Sequence, residues 1–144
     1  EIAQACIKMQ GQITSATCSI TQRAAITALS KDPECTQKMC QSFEHRRNLM
    51  IKLLSKIDNM EINKPEGAFY IFPNISKYIG MSHDKYKIKS ANDLSMFLLE
   101  DAGVSTVSGS AFGAEYYIRI SYAASENELL DACKLIKSSL DKLD

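Results

Sequence analysis

The stretch GSAFGAEYYIRISYAAS, from Gly109 to Ser125, decides how the rest of the chain is read. Its second half, Tyr116 to Ala123, is dense in Tyr and Ile, which predicts a strand. Side chains alternate across a strand, so Tyr116, Ile118, Ile120 and Tyr122 share one face. Tyr117, Arg119, Ser121 and Ala123 share the other, which puts a permanent positive charge beside two small neighbours. A guanidinium stays charged at any working pH and grips a carboxylate with two parallel hydrogen bonds. Arg119 is therefore a candidate carboxylate receptor, with the loop Ser108 to Gly113 open to a small ligand. The alternative is an edge-strand arginine, solvated or paired with a neighbour such as Glu115.

Working outward, Ser125 with Glu128 reads as a capping box, and Leu129, Cys133, Ile136, Leu140 and Leu143 line one side of the helix it opens. Upstream, Val104 to Val107 predicts a short strand. Ser90 with Asp93 resembles a second capping box, and its helix carries Leu94, Phe97 and Leu98 to a stop at Gly103. AFYIFP, after the turn Lys64 to Gly67, is apolar on both faces and predicts a buried strand ended by Pro73. The polar run from Asn74 to Ser90 reads as a long connection. In the first third, Ile2, Cys6 and Met9 mark a short helix closed by Gly11, and Ile20 to Leu29 a second. Asp32 as N-cap with Pro33 at the first position opens a long helix reaching about Asp58. This order of elements predicts an α+β fold, with helices packed on a small sheet.

The 144 residues suit an ordinary core, and 17 basic against 17 acidic side chains leave no net charge to attract nucleic acid or a membrane surface. The apolar runs are too short to cross a bilayer. Five cysteines without a CxxC pair argue against a zinc site or a disulfide framework, and predict reduced, mostly buried thiols in a cytoplasmic protein. His45 and His83 lack a metal-ligand partner at helical spacing and read as surface, and EHRR, residues 44–47, as the wet face of its helix. Neither a serine nucleophile with a partnered histidine nor a phosphate-cradling loop is legible.

Several stretches together carry a resemblance. TSATCSITQRAA, FEHRRNLM, KPEGAFYIFPNIS, FLLEDAGVSTVSGSAFG and YYIRISYAASENEL occur in this order. Over essentially its whole length the chain resembles the carboxy-terminal part of the fold-type-I aminotransferases that use pyridoxal phosphate. Within that family it is most like the bacterial aspartate aminotransferases. The resemblance implies that residues 1–30 are the end of the cofactor domain with its linker helix, and 31–144 the small domain. It implies that Arg119 binds the α-carboxylate of small dicarboxylate amino and keto acids, and that Thr14 and Ser15 lie near the cofactor phosphate across a homodimer. The lysine that forms the Schiff base, and the residues that hold the cofactor ring, have no match in this chain. The chain by itself is thus expected to be inactive and to leave the cofactor unbound. Alternatives are an aminotransferase for prephenate, aromatic amino acids or alanine, or a non-catalytic domain for carboxylate binding or assembly.

Overall fold

The computed structural model describes residues 1–14, 16–31 and 33–144. Its helices are α1 (Ile2–Ile13), α2 (Ser19–Ser30), α3 (Glu34–Leu54), α4 (Ala91–Ala102) and α5 (Glu126–Leu140). Its strands are β1 (Tyr70–Ile71), β2 (Ser82–His83), β3 (Tyr86–Lys87), β4 (Val107–Ser108) and β5 (Ile118–Ser121). The expected α+β class is what the chain forms. It divides into two compact units, Glu1–Gln37 and Lys38–Asp144.

In the first unit, α1 runs through Gly11 to Ile13 instead of stopping at the glycine. Gly11 is not in the left-handed region that would end a helix; the Thr14 N–H closes the last turn on the Gln10 carbonyl at 3.0 Å. No residue of α1 or α2 is buried, and Ile2, Ile20 and Leu29 are among the most exposed large apolar side chains. The expectation of mostly buried thiols fails along the whole chain. Cys6, Cys18, Cys35 and Cys40 are exposed, and only Cys133 of the five is buried. The proposed N-cap Asp32 lies outside the described residues.

The second unit is built on a three-stranded antiparallel sheet in the order β1-β5-β4. Tyr70 pairs with Ser121 and Ile71 with Ile120 on one side; Val107 pairs with Arg119 and Ser108 with Ile118 on the other. β5 is therefore the central strand, and its alternation is obeyed: Ile118, Ile120 and Tyr122 are buried, Arg119 half-buried and Ser121 exposed. The buried face meets Met50 and Leu54 of α3, Leu94, Phe97 and Leu98 of α4, and Leu129, Cys133, Ile136 and Leu140 of α5 in one core. These helices present apolar side chains at spacings of three and four, which makes one stripe per helix.

Six local expectations need correction. α3 ends at Leu54, and Lys56 and Ile57 bond back only three residues, to Leu53 and Leu54, before Asn59 takes a left-handed φ of 63°. AFYIFP is not buried on both faces: Ile71 and Pro73 are buried while Tyr70 and Phe72 are half-buried, as a sheet covered on one side requires. Pro73 does not end the pairing either, because its carbonyl accepts from Ile118 at 3.3 Å and Asn74 bridges to Glu61 and Tyr117. The polar connection contains a hairpin, β2 with β3, turned by Asp84 at φ 49°, and Asp144 exchanges backbone hydrogen bonds with Ser82 beside it. His83 of this hairpin is half-buried, edge-on to Phe97 at 6.4 Å, and Arg46 and Arg47 of the EHRR run are half-buried as well.

The caps of the later helices form as read. Gly103 ends α4 at φ 67°, where a side chain would be strained. The Ser125 Oγ accepts from the Glu128 N–H at 3.3 Å, while Glu128 Oε2 accepts from the Ser125 N–H at 2.9 Å. Ser125→Ala should therefore lower the unfolding free energy by about 1 kcal/mol, read from a urea titration.

Two carboxylates give the fold a pH dependence of known sign. Lys142 Nζ donates to Asp101 at 2.7 and 2.9 Å, and the Ser139 hydroxyl donates to the same group. These bonds hold the Asp101 carboxyl below its ordinary value of 3.8, and the bonds from Ser125 hold Glu128 below 4.5. A group depressed in the folded state stabilises the fold above its unfolded pKa and loses that contribution as pH falls through the folded one. The urea midpoint should drop as the solution is acidified below about pH 4.5. Asp101→Asn should lower the midpoint at neutral pH and flatten the acid limb.

Candidate functional site

Arg119 sits in the middle of the central strand, on the sheet face opposite the core. Its guanidinium carbon lies over the ring of Tyr70 at 4.3 Å and over the ring of Phe112 at 4.6 Å. The register explains Tyr70, which pairs with Ser121 and so stands diagonally across from Arg119 on the same face. Phe72 follows two residues on, stacked on Tyr117 at 5.1 Å and edge-on to Phe112 at 6.1 Å. Two rings thus meet the cation, and one of them, Phe112, is backed by Phe72.

Phe112 reaches its place through a tightly wound loop. Gly109 to Phe112 form a short 3₁₀ turn, capped by the Ser108 Oγ and ended by Gly113 at φ 72°. The Gly109 N–H donates to the Tyr117 carbonyl at 2.7 Å, and the Ala114 N–H donates to the Gly109 carbonyl at 2.9 Å. A Cβ at Gly109 would lie 2.2 Å from the Ala114 oxygen and 2.5 Å from that of Tyr117. Only glycine lets the loop lie this close to the strand.

Among the described residues, none of the ion pairs or hydrogen bonds reaches the Arg119 side chain, and Glu115 is not its partner. The contrast with Arg47 is direct. That guanidinium, with a side chain 14% exposed, bonds Glu44 Oε1 at 3.0 Å, Asn48 Oδ1 at 3.2 Å and the Pro65 carbonyl at 3.5 Å. Arg47 is engaged by its own chain, whereas no hydrogen bond among the described residues reaches the Arg119 side chain.

Arg119 is half-buried on this face. A cleft of about 400 Å³ between α3 and α5, with Leu53, Leu130 and Cys133 in its wall, and one of about 390 Å³ bounded by Phe43, Glu66 and Tyr122, both lie away from it. Cys133 is an unreactive wall residue, since burial pushes its thiol up to about 11.

The other expected site residues stand apart from any such cluster. Thr14 is exposed at the end of α1, where its hydroxyl accepts from Gln10 Nε2 at 2.5 Å and donates to the Gln10 carbonyl at 3.1 Å. Ser15 lies outside the described residues. A lysine that carries a carbonyl cofactor needs a desolvated amine. The lysines here are all exposed except Lys137, which is half-buried and paired with Asp141 at 2.9 Å. The described residues of this chain therefore do not fit pyridoxal phosphate as a resident group. Among them no cluster of His, Cys, Asp and Glu is placed to hold a metal ion, and no helix is long and apolar enough to cross a membrane.

Sequence reasoning did not find Tyr70 and Phe112 as partners of the arginine. The available signal was the Phe of SGSAFG, set between two glycines in a loop next to the arginine strand. Tyr70 had no signal of its own, because only the β1–β5 register brings it across.

Comparison with known proteins gives the site its context. Residues 1–136 match the model of the aminotransferase class I and II family. The chain is 39% identical over 144 residues to the aspartate aminotransferase of Rhizobium meliloti, covering 99% of this chain and 35% of that protein. It is 42% identical over 136 residues to a probable aspartate/prephenate aminotransferase of Rickettsia typhi, covering 94% of this chain and 34% of that protein. The crystal structure of the Rhizobium meliloti enzyme superposes with a TM-score of 0.92 at 39% identity, over 98% of this chain and 36% of that one. An aromatic aminotransferase from Pyrococcus horikoshii superposes with a TM-score of 0.82 at 32% identity, over 94% and 34%. The chain thus spans about a third of the length of the relatives it matches. With a family match over most of its residues and the same backbone course as solved members, the chain belongs to the class I and II aminotransferases.

Proposed function

We propose that this chain is the carboxy-terminal, substrate-clamping part of an aspartate aminotransferase, which exchanges an amino group between L-aspartate and 2-oxoglutarate. The observation that carries this is Arg119: a guanidinium central in the sheet, flanked by rings, with no carboxylate of the described residues paired to it. In this role it binds the α-carboxylate of the amino or keto acid by two parallel bonds and so orients the reacting carbon. Pyridoxal phosphate, bound by the rest of the enzyme, supplies the electron sink. Residues 1–30 form the end of the cofactor domain and its linker helix, and residues 31–144 the small domain. Thr14 and Ser15 approach the cofactor phosphate of a second subunit in a cytoplasmic homodimer.

A second activity is favoured by one observation, the 42% identity to a relative named for both aspartate and prephenate. Prephenate presents the same α-carboxylate geometry to Arg119, so both substrates can share the clamp. The test is an amino-donor and acceptor panel on the complete enzyme. Aspartate with 2-oxoglutarate should turn over fastest, with prephenate as the other acceptor that competes. A preference for alanine or for aromatic donors would replace this assignment. The 144-residue chain mixed with aspartate, 2-oxoglutarate and cofactor should show no turnover above the buffer blank. Turnover there would refute the division of labour, and an inactive complete polypeptide would favour a carboxylate-binding or assembly domain.

A further inference from the structure

We propose that the cleft between α3 and α5 binds a small aromatic acid in its ionised form, in a site that does not use Arg119. The aromatic body lies on Leu53, Leu130 and Cys133, and the carboxylate meets the ammonium group of Lys56. The inference goes beyond the assignment of Arg119 and does not depend on it.

The cleft, of about 400 Å³, has room for a ligand of one or two rings. One face of α5 forms a side of it, because Leu130, Cys133, Lys134 and Lys137 recur three and four positions apart. Leu53, in the last turn of α3, and Lys56, just after it, form the other side. The wall is apolar and contains sulfur: the Cys133 thiol donates to Met50 Sδ behind it at 3.5 Å. Polarisable sulfur favours contact with the edge of an aromatic ring. Burial pushes the Cys133 thiol up to about 11, so the wall stays protonated and sets no negative charge against an anion.

The charge around the cleft selects the sign of the ligand. Lys56, Lys134 and Lys137 line it against a single carboxylate, that of Asp141. Lys134 pairs with Asp131 at 3.0 Å and Lys137 with Asp141 at 2.9 Å. Such pairs, three and four positions apart on an open helix face, are weak and leave their ammonium groups available to a second anion. Lys56 has no partner of this kind. Among the described residues neither an ion pair nor a hydrogen bond reaches its side chain. An ammonium is a point charge that takes a carboxylate from any direction, while the apolar wall beside it takes the ring. A cation would be repelled at the same mouth, and a neutral ring would leave Lys56 unpaired.

The test follows the ¹³C-methyl resonances of Leu53 and Leu130 in the complete enzyme, with Leu135, on another face of α5, as the control. The probe 2-naphthoate should shift Leu53 and Leu130 saturably and leave Leu135 in place. Acetate, an anion without a ring, should leave all three in place. The neutral 2-naphthalenemethanol should reach its midpoint only at a concentration about threefold to tenfold higher than naphthoate. Lys56→Glu should raise the naphthoate midpoint by a similar factor, whereas Arg119→Ala should not move it. The proposal is overturned if naphthoate leaves Leu53 and Leu130 unmoved or shifts Leu135 equally. It is overturned as well if the neutral alcohol titrates them as readily, if acetate alone shifts them, or if Lys56→Glu leaves the midpoint unchanged. A response lost in Arg119→Ala would put the ligand on Arg119 and remove the cleft as its site.

Discussion

On the proposed assignment, Arg119→Ala in the complete enzyme should lower kcat/KM for aspartate by about 30-fold to several thousandfold, with little change in the melting temperature. The magnitude follows from removing one partner of a desolvated charge pair, which costs about 2–5 kcal/mol. The effect should appear for both substrates of the exchange, since each presents an α-carboxylate to the same guanidinium. Stability is expected to move far less, because among the described residues no carboxylate pairs with the Arg119 side chain, whose contacts are with two rings. Arg119→Lys should recover only a small part of the loss. An ammonium keeps the charge but lacks the planar fork that two rings hold in register. Steady-state kinetics with both substrates, beside a thermal melt, check the pair of outcomes. An unchanged kcat/KM in Arg119→Ala would remove the substrate-clamping role.

The second large effect is on the fold. Phe97→Ala should lower the unfolding free energy by about 3–5 kcal/mol, a sizeable share of what a domain of this size has. Phe97 is fully buried on α4, in the cluster that α4 shares with α5 and the sheet. It is also the floor for the hairpin β2–β3, meeting Tyr86 edge-on at 5.1 Å and His83 at 6.4 Å. Removing the ring leaves a cavity in the core and frees the hairpin in one step. Urea unfolding gives the first effect, and faster amide exchange at 82–87 the second. Phe97→Leu, which fills much of the volume, should cost clearly less. An alanine variant as stable as the native chain would show that the core closes over the gap.

Much of this protein was legible before any coordinates. The apolar stripes of α4 and α5, the Ser125–Glu128 box and the stop at Gly103 were readable because each depends on residues at most four apart. The alternation around Arg119 was readable for the same reason, as was its chemical capacity, since a guanidinium carries its charge and fork wherever it lies. Tertiary structure settled the matters that join distant segments. Only the β1-β5-β4 order makes the strand of Arg119 central, and only its register sets Tyr70, 49 positions earlier in the chain, against the cation. Glu115, four residues away, is no partner for Arg119, while a ring seven residues away on a folded-back loop is. The thiols were misread because a cysteine's burial depends on what packs over it: α1 and α2 bury no residue, and α3 buries Met50 and Leu54 but not the stretch that holds Cys35 and Cys40. Local pattern specifies which face is apolar and where a helix ends, whereas occupancy of a face is a property of contacts between remote residues.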